Sequence, residues 1–206
     1  LSFLRYDINL DTPRTYNEHI TRLMCRPMSA FQTQLSDKIS LKDFIDTIPF
    51  NVKTPKTYGI GNNIDDLLSQ DLPSSFYLKA NHSSGDTWLV KDKTNISDEL
   101  KTIANNRLKN AYGIESLEPN YLNIPRFLFA EEILDDNIAE YKVHTFNGNP
   151  KLVQININRK ENNTQAFYNL NWKKQPFSIR YPLFHGDIPK PNLLDLMVEV
   201  SAYIGQ

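Results

Sequence analysis

The sequence predicts an α+β fold of two small lobes with antiparallel sheets, preceded by a helical N-terminal region. Three patterns lead to this prediction: a polar helical stretch, a short β-hairpin followed by a helix, and a second strand pair joined at an Asn-Gly turn. We expect the helical region over residues 1–70, the first lobe over 71–130 and the second lobe over 131–206.

Each element follows from a local signal. In the helical region, Thr15 or Asn17 caps a first helix, and Pro49 ends a later one whose apolar residues have helical spacing. Residues 55–60 are expected to be extended or turn-like, and 63–68 form a short helix. The remaining predicted elements are strands at 76–80, 87–91, 125–133, 141–146 and 151–159, a helix from Ser97 to Ala111, and an amphipathic helix at 193–204.

The composition is that of an ordinary globular protein without a basic surface. The 206 residues carry a formal net charge of −1, which gives no support to a nucleic-acid partner. The single cysteine, Cys25, excludes an intrachain disulfide framework, and neither a membrane span nor a secretory signal is present, so we expect a cytoplasmic protein. Because the chain begins with Leu and ends in a helix that needs a packing partner, we also expect a C-terminal continuation.

The first candidate site is an apolar strand that carries Lys79 and runs into a Ser/Gly loop at residues 81–86. An ammonium group and free backbone N–H groups suit a polyphosphate. Lys91, on the return strand, is expected to lie close enough to serve the same anion. The spacing of the common phosphate loop is absent, and a solvent-facing strand lysine beside an ordinary turn is the alternative.

The second candidate site is a polar sheet face in the second lobe. Lys142 and His144 are two residues apart on one strand and therefore share a face, with Asn156, Asn158 or Arg159 on the neighbouring strand. Such a face suits a phosphate or a carboxylate, whereas the alternative is a polar outer face over an apolar inner one. The four histidines are scattered, so we predict no metal site built from them.

Ordered motifs over nearly the whole chain resemble the TupA-like ATP-grasp family, named for teichuronopeptide biosynthesis. The opening Pro13–Glu18 stretch resembles P-x-T-[FY]-N-E-K with His19 in place of the last Lys. The other matching segments are Asp37-Lys38, Leu41–Ile45, Lys79–Gly85 (K-x-N-H-x-S-G), Ala130-Glu131-Glu132 with Leu134, Tyr141–Gly148 with Glu140 in place of Asp, Phe167–Asn169, Trp172 and Lys190–Leu193.

The resemblance implies an ATP-grasp nucleotide site between two lobes and activation of a carboxylate as an acyl-phosphate that an amine then displaces. It implies that Lys79 and Lys91 neutralise ATP phosphates and that Lys142 and Arg159 hold the γ-phosphate or the substrate carboxylate. The remaining implied ATP-binding residues are a lid of His82, Ser83, Ser84 and Gly85 and a hinge of Glu131, Glu132 and Leu134.

The implied partners are ATP, a glycan or peptide carboxylate, and an amine donor in capsule or surface-polysaccharide synthesis. In the family the Mg²⁺ ligands lie beyond the segment that matches the end of this sequence, so we expect these 206 residues alone to bind nucleotide weakly and not to turn over. The alternative is a non-catalytic nucleotide- or glycan-binding module, with the aromatic residues of 167–184 stacking on sugars.

Overall fold

The computed structural model describes residues 6–134, 140–158 and 162–206. The chain forms two compact units, Leu1–Ile133 and Leu134–Gln206. Each unit contains one antiparallel sheet and helices, so the predicted mixed α+β fold with two antiparallel sheets is confirmed.

The first unit is built around a four-stranded sheet in the order β1-β4-β2-β3. Its elements are α1 (Tyr16–Met24), α2 (Ala30–Ser36), α3 (Ser40–Thr47), β1 (Thr57–Gly61), α4 (Ile64–Leu68), β2 (Phe76–Ala80), β3 (Thr87–Val90), α5 (Asp98–Lys109), α6 (Tyr112–Glu115) and β4 (Leu128–Glu131), with short 3-10 helices at Lys93–Asn95 and Pro119–Tyr121.

The first sheet has a core face and a polar face, and the residues of β2 alternate between them. Phe76, Leu78 and Ala80 are fully buried in the core with residues of α4 and β4. The alternate residues, Tyr77 and Lys79, are only partly buried and point to the other face, because successive side chains of a strand lie on opposite sides. Lys79, the lysine that the sequence predicts as a site residue, therefore lies on the face away from the core.

The N-terminal segment is fixed by Glu18 of α1. Of the two predicted caps, Thr15 and Asn17, the structure has Thr15 at the N-cap of α1. Thr15 and Glu18 together form a capping box. The Glu18 carboxylate accepts the backbone N–H groups of Arg14, Asn9 and Thr15, which lower its pKa to about 2. The motif glutamate at this position thus organises the backbone before α1.

The second unit contains a three-stranded sheet, β5 (Glu140–Phe146), β6 (Asn149–Ile157) and β7 (Thr164–Asn169), and the helix α7 (Leu194–Ile204). The turn between β5 and β6 is the predicted Asn147-Gly148 pair, and both residues have a positive φ, of 48° and 74°. The buried residues Val153, Ile155 and Leu194 join the apolar face of this sheet to α7. The other face of the sheet carries polar side chains.

Two strands differ from the sequence prediction. β1 lies where extended or turn-like chain was expected, because its two glycines give little strand propensity and its pairing with β4 supplies the order. β7 was predicted only as the start of an aromatic-rich region, and its six residues pair along β6.

Candidate functional site

Lys79 lies on the polar face of the first sheet, next to the loop that follows β2. Its ammonium donates a hydrogen bond to Glu131 Oε2 and lies 5.6 Å from the centre of the Tyr77 ring. An ammonium has three N–H groups, and the described residues accept a hydrogen bond from only one of them. With 21% of its side chain exposed, Lys79 keeps donors for an anion that approaches this face.

Glu131 is held between two lysines. Its side chain is only 7% exposed, and its Oε1 lies 2.6 Å from the ammonium of Lys42 on α3. Lys42 also donates to Pro55 O (2.7 Å) and Thr57 Oγ1 (2.9 Å), so all three of its N–H groups have acceptors. The sequence analysis did not predict Lys42 as a site residue, because no local pattern shows that α3 lies over the end of β4.

Lys38 fixes the start of the loop after β2. Its ammonium donates to the backbone carbonyls of Ala80 (3.3 Å), Asn81 (3.5 Å) and Ser83. Burial, followed by the nearby Lys79 ammonium, lowers the pKa of Lys38 below its ordinary value. Like Lys42, this lysine has its donors occupied by the protein itself.

Asn81 joins the loop to the rest of the first unit. The side chain is fully buried, its Nδ2 donates to Asp37 Oδ1 (2.9 Å) and Pro125 O (2.7 Å), and its Oδ1 accepts the N–H of Phe127 (2.8 Å). The motif asparagine is therefore part of the structural base of the loop.

Only part of the loop that the resemblance assigns to an ATP lid is exposed. His82 and Ser83 are each 1% exposed, and His82 Nε2 lies 3.1 Å from Arg107 O on α5. Burial lowers the pKa of His82. Ser84 and Gly85 form the exposed tip, where Gly85 has a φ of 89°. In this structure the tip, and not the His82 side chain, is accessible to a ligand.

Lys91 does not lie beside Lys79. Lys79 pairs with Thr87 at the loop end of the hairpin, whereas Val90 pairs with Phe76 at the opposite end. Lys91 follows Val90, so four residue steps of strand, about 13 Å, separate its level from that of Lys79. The expectation that both lysines serve one anion on this hairpin is not supported by the register.

The three residues assigned to the hinge have different surroundings. Each oxygen of Glu131 contacts one lysine ammonium group, Oε1 that of Lys42 and Oε2 that of Lys79. Glu132 Oε2 accepts the backbone N–H of Lys56 (3.0 Å), and Leu134 is 45% exposed. The structure thus gives Glu131 and Glu132 intramolecular partners.

In the second unit, Lys142 and His144 lie on one face of β5, as the sequence predicted. Asn156 shares this face, because Glu140 pairs with Asn156 and Lys142 pairs with Gln154. The Lys142 ammonium lies 3.5 Å from Glu140 Oε1, and half of its side chain is exposed. Arg159, the other residue assigned to catalysis, lies outside the described residues.

Within residues 6–134, 140–158 and 162–206, no group of three or more His, Cys, Asp or Glu side chains is arranged to hold a metal ion. None of the helices in those same ranges has the length and apolar content needed to cross a bilayer.

The first sheet thus presents a lysine with donors that the described residues do not use, beside a polar loop, in a mixed α+β chain with two antiparallel sheets. The family model described as TupA-like ATPgrasp matches residues 18–206. The chain belongs to this family, and the match supports an ATP-grasp-type domain of an ATP-dependent, ligase-type enzyme. No curated protein and no solved structure gave a significant match. The ATP-grasp family generally binds ATP and Mg²⁺.

Proposed function

We propose that this chain is an ATP-dependent carboxylate–amine ligase that acts in the cytoplasm on precursors of a capsule, teichuronopeptide or other cell-surface polysaccharide. The family match supports the ATP-grasp chemistry. One structural observation supports a nucleotide site at Lys79. Among Lys38, Lys42 and Lys79, only the Lys79 ammonium has N–H groups for which the described residues provide no acceptor.

In the proposed reaction the phosphates of ATP contact Lys79 and the exposed loop tip at Ser84 and Gly85. The Lys79 ammonium also donates a hydrogen bond to Glu131 on the neighbouring strand β4. Backbone N–H groups of the tip then approach the same phosphate oxygens, an arrangement suited to phosphate. Lys38 and Asn81 hold the base of the loop and so limit its movement to the tip.

The reacting carboxylate is proposed to bind at Lys142, with Arg159 as a second cationic group. A carboxylate oxygen attacks the γ-phosphorus of ATP, an O–P bond forms, and ADP leaves with the electrons of the broken P–O bond, which gives an acyl-phosphate. The amine then attacks the acyl carbon, the C–N bond forms, inorganic phosphate leaves with the electrons of the C–O bond, and the amine proton passes to solvent.

An ATP titration followed by thermal shift tests the nucleotide site. We expect ATP to raise the unfolding temperature of the wild-type chain, and Lys79→Ala to abolish most of that rise because the principal phosphate contact is lost. Lys91→Ala is the matched control, since this lysine lies at the far end of the same hairpin, and it should retain the wild-type shift. Equal shifts for wild type and Lys79→Ala would remove Lys79 from the site.

A second assay separates a ligase from a nucleotide-binding module. ADP and phosphate release by the full-length protein is measured with ATP, Mg²⁺ and a panel of sugar acids and amino acids, since these 206 residues alone are expected not to turn over. Hydroxylamine is added to trap an acyl-phosphate. Formation of a hydroxamate supports carboxylate activation. Nucleotide binding without ADP release under any of these conditions would favour the non-catalytic alternative.

A further inference from the structure

The polar face of the second sheet contains a connected chain of side-chain hydrogen bonds. Gln154, Asn156 and Gln165 are 8%, 8% and 3% exposed, and they come from the paired strands β6 and β7. Both glutamine Nε2 atoms lie 3.1 Å from Asn156 Oδ1. At one end of the chain, His144 Nε2 lies 2.9 Å from Gln154 Oε1.

The donor and acceptor of each hydrogen bond in this network are determined by the contacts of Gln165. Gln165 Oε1 accepts the backbone N–H groups of Arg180 (3.2 Å) and Tyr181 (3.4 Å). A backbone N–H can only donate, so the opposite amide orientation of Gln165 would place donors against donors. The Gln165 amide nitrogen therefore faces Asn156 and requires an acceptor there.

The orientation of Asn156 in turn determines the orientation of the Gln154 amide. Its Oδ1 accepts from both glutamines, and its Nδ2 donates to Glu140 Oε2 (3.0 Å), a carboxylate oxygen that agrees with the same orientation. Gln154 thus uses its nitrogen towards Asn156 and turns its oxygen towards His144. Since that oxygen only accepts, the proton of a neutral His144 ring resides on Nε2.

The ring of His144 is also restrained by packing. Its centre lies 5.8 Å from that of Phe167, which in turn lies 4.9 Å from Phe177. With Nε2 used as a donor, Nδ1 keeps a lone pair, and no residue that the structure describes donates a hydrogen bond to it. Lys142 lies two residues away on the same strand face, about 6.6 Å along the strand.

We propose that His144 Nδ1 and the Lys142 ammonium form a binding site for a hydroxycarboxylate, a carboxylate with a hydroxyl group a few bonds away. The ammonium binds the carboxylate, and Nδ1 accepts the hydroxyl proton in a hydrogen bond. Nδ1 of a neutral ring can only accept, so it suits a ligand hydroxyl group, and the Lys142 ammonium, 3.5 Å from Glu140 Oε1, has further N–H groups for the carboxylate. The identification of this ligand as the carboxylate substrate rests on the proposed function, whereas the state of His144 does not.

The orientation of His144 is tested by NMR of the full chain labelled with ¹⁵N-histidine at pH 8. The chain has four histidines, and the His144 signals are assigned by their loss in His144→Gln. We expect an Nε2-bound proton that is protected from solvent exchange, and loss of this protection in Gln154→Met, which removes the acceptor and keeps the size. A proton on Nδ1 in the wild-type protein would overturn the proposal.

The ligand is tested by titrating gluconate, acetate and glucose into the same labelled protein. Gluconate should shift the His144 Nδ1 resonance, whereas acetate lacks the hydroxyl group and glucose lacks the carboxylate, so both should have much smaller effects. His144→Gln retains a donor to Gln154 but has no acceptor in the place of Nδ1, so its gluconate affinity, followed on Lys142 backbone signals, should fall about fivefold for one lost hydrogen bond. Lys142→Met should lose binding.

The outcomes distinguish this site from the proposed function. Equal responses to gluconate and acetate, or no response to gluconate, would refute the hydroxycarboxylate site even if the chain activates another carboxylate. Gluconate binding that depends on both side chains, in a full-length protein that forms no ADP, would support the site and refute the ligase.

Discussion

Replacing Glu131 with Gln is expected to destabilise the first unit and to strengthen its binding of ATP. The substitution keeps the shape of the side chain but removes the negative charge between Lys42 and Lys79. Two ammonium groups then share a site without a counter-ion. The same change removes a carboxylate from the face that is proposed to bind phosphates.

The loss of stability can be estimated from the burial of the three side chains. Removing one partner of a buried ion pair costs about 3–5 kcal/mol. The side chains of Glu131, Lys42 and Lys79 are 7%, 14% and 21% exposed, and Lys42 keeps two neutral acceptors, so we expect the lower end, about 3 kcal/mol.

The gain in ATP binding follows from charge repulsion. For a phosphate about 8 Å from the carboxylate and an effective dielectric constant of about 20–80, the repulsion that is removed is about 0.5–2 kcal/mol. This corresponds to an affinity higher by a factor of about 2–30 at low salt, with a smaller gain at high salt.

Tryptophan fluorescence reports the stability of each unit separately. The chain has two tryptophans, Trp88 in the first unit and Trp172 in the second, so Trp172→Phe makes urea unfolding specific for the first unit. ATP affinity is measured by calorimetry. Glu132→Gln is the control, because that carboxylate lies next to Glu131 and bonds a backbone N–H instead of a lysine.

Equal free energies of unfolding for Glu131→Gln and Glu132→Gln would refute the role of Glu131 as the stabilising counter-ion of Lys42 and Lys79. A fall in ATP affinity that the control does not show would indicate that Glu131 contacts the nucleotide, as the hinge role implied by the resemblance requires. Adding Lys42→Met to Glu131→Gln should restore part of the stability, because it removes the ammonium left without its counter-ion.

Two further predictions concern residues of the matched motifs. Asn81→Ala removes three buried side-chain hydrogen bonds, one of them to a carboxylate, so urea unfolding of the first unit should show a loss of about 3 kcal/mol; a loss below about 1 kcal/mol would contradict the structural role. The pKa of Glu18 is about 2 in the folded chain against 4.5 ordinarily, so its stabilisation is complete above pH 4.5 and disappears as the pH falls towards 2. Urea unfolding should therefore separate wild type from Glu18→Gln at pH 7 and bring them together near pH 2, and a constant difference would refute this.

Much of the fold follows from local sequence signals. Alternation at residues 76–80 predicts both the strand β2 and the side on which Lys79 lies, and the Asn147-Gly148 pair predicts the turn before β6. β7 was missed because its strand character depends on pairing with β6 more than on a boundary in the sequence. The family match covers residues 18–206, which include all of these elements.

The candidate site was predictable only in part, because the availability of a polar group depends on what else it contacts. Lys38, Lys42 and Lys79 are equivalent in the sequence, yet the first two have acceptors for all three N–H groups and only Lys79 has donors left. The sequence predicted Lys79 and Lys91 as phosphate-binding cations, whereas the contacts that distinguish Lys79 from Lys38 and Lys42 are visible only in the tertiary structure.

The same reasoning applies to His144. Its spacing from Lys142 predicts a shared strand face but says nothing about which ring nitrogen carries the proton. That property is fixed by two backbone N–H groups at residues 180 and 181, through three amide side chains on two strands. Because each amide has one donor end and one acceptor end, a constraint at one end of the chain determines the other. The network thereby fixes the proton of a neutral His144 on Nε2 and leaves Nδ1 as a hydrogen-bond acceptor. This acceptor, two residues from Lys142, is the reason for testing hydroxyl-bearing carboxylates first.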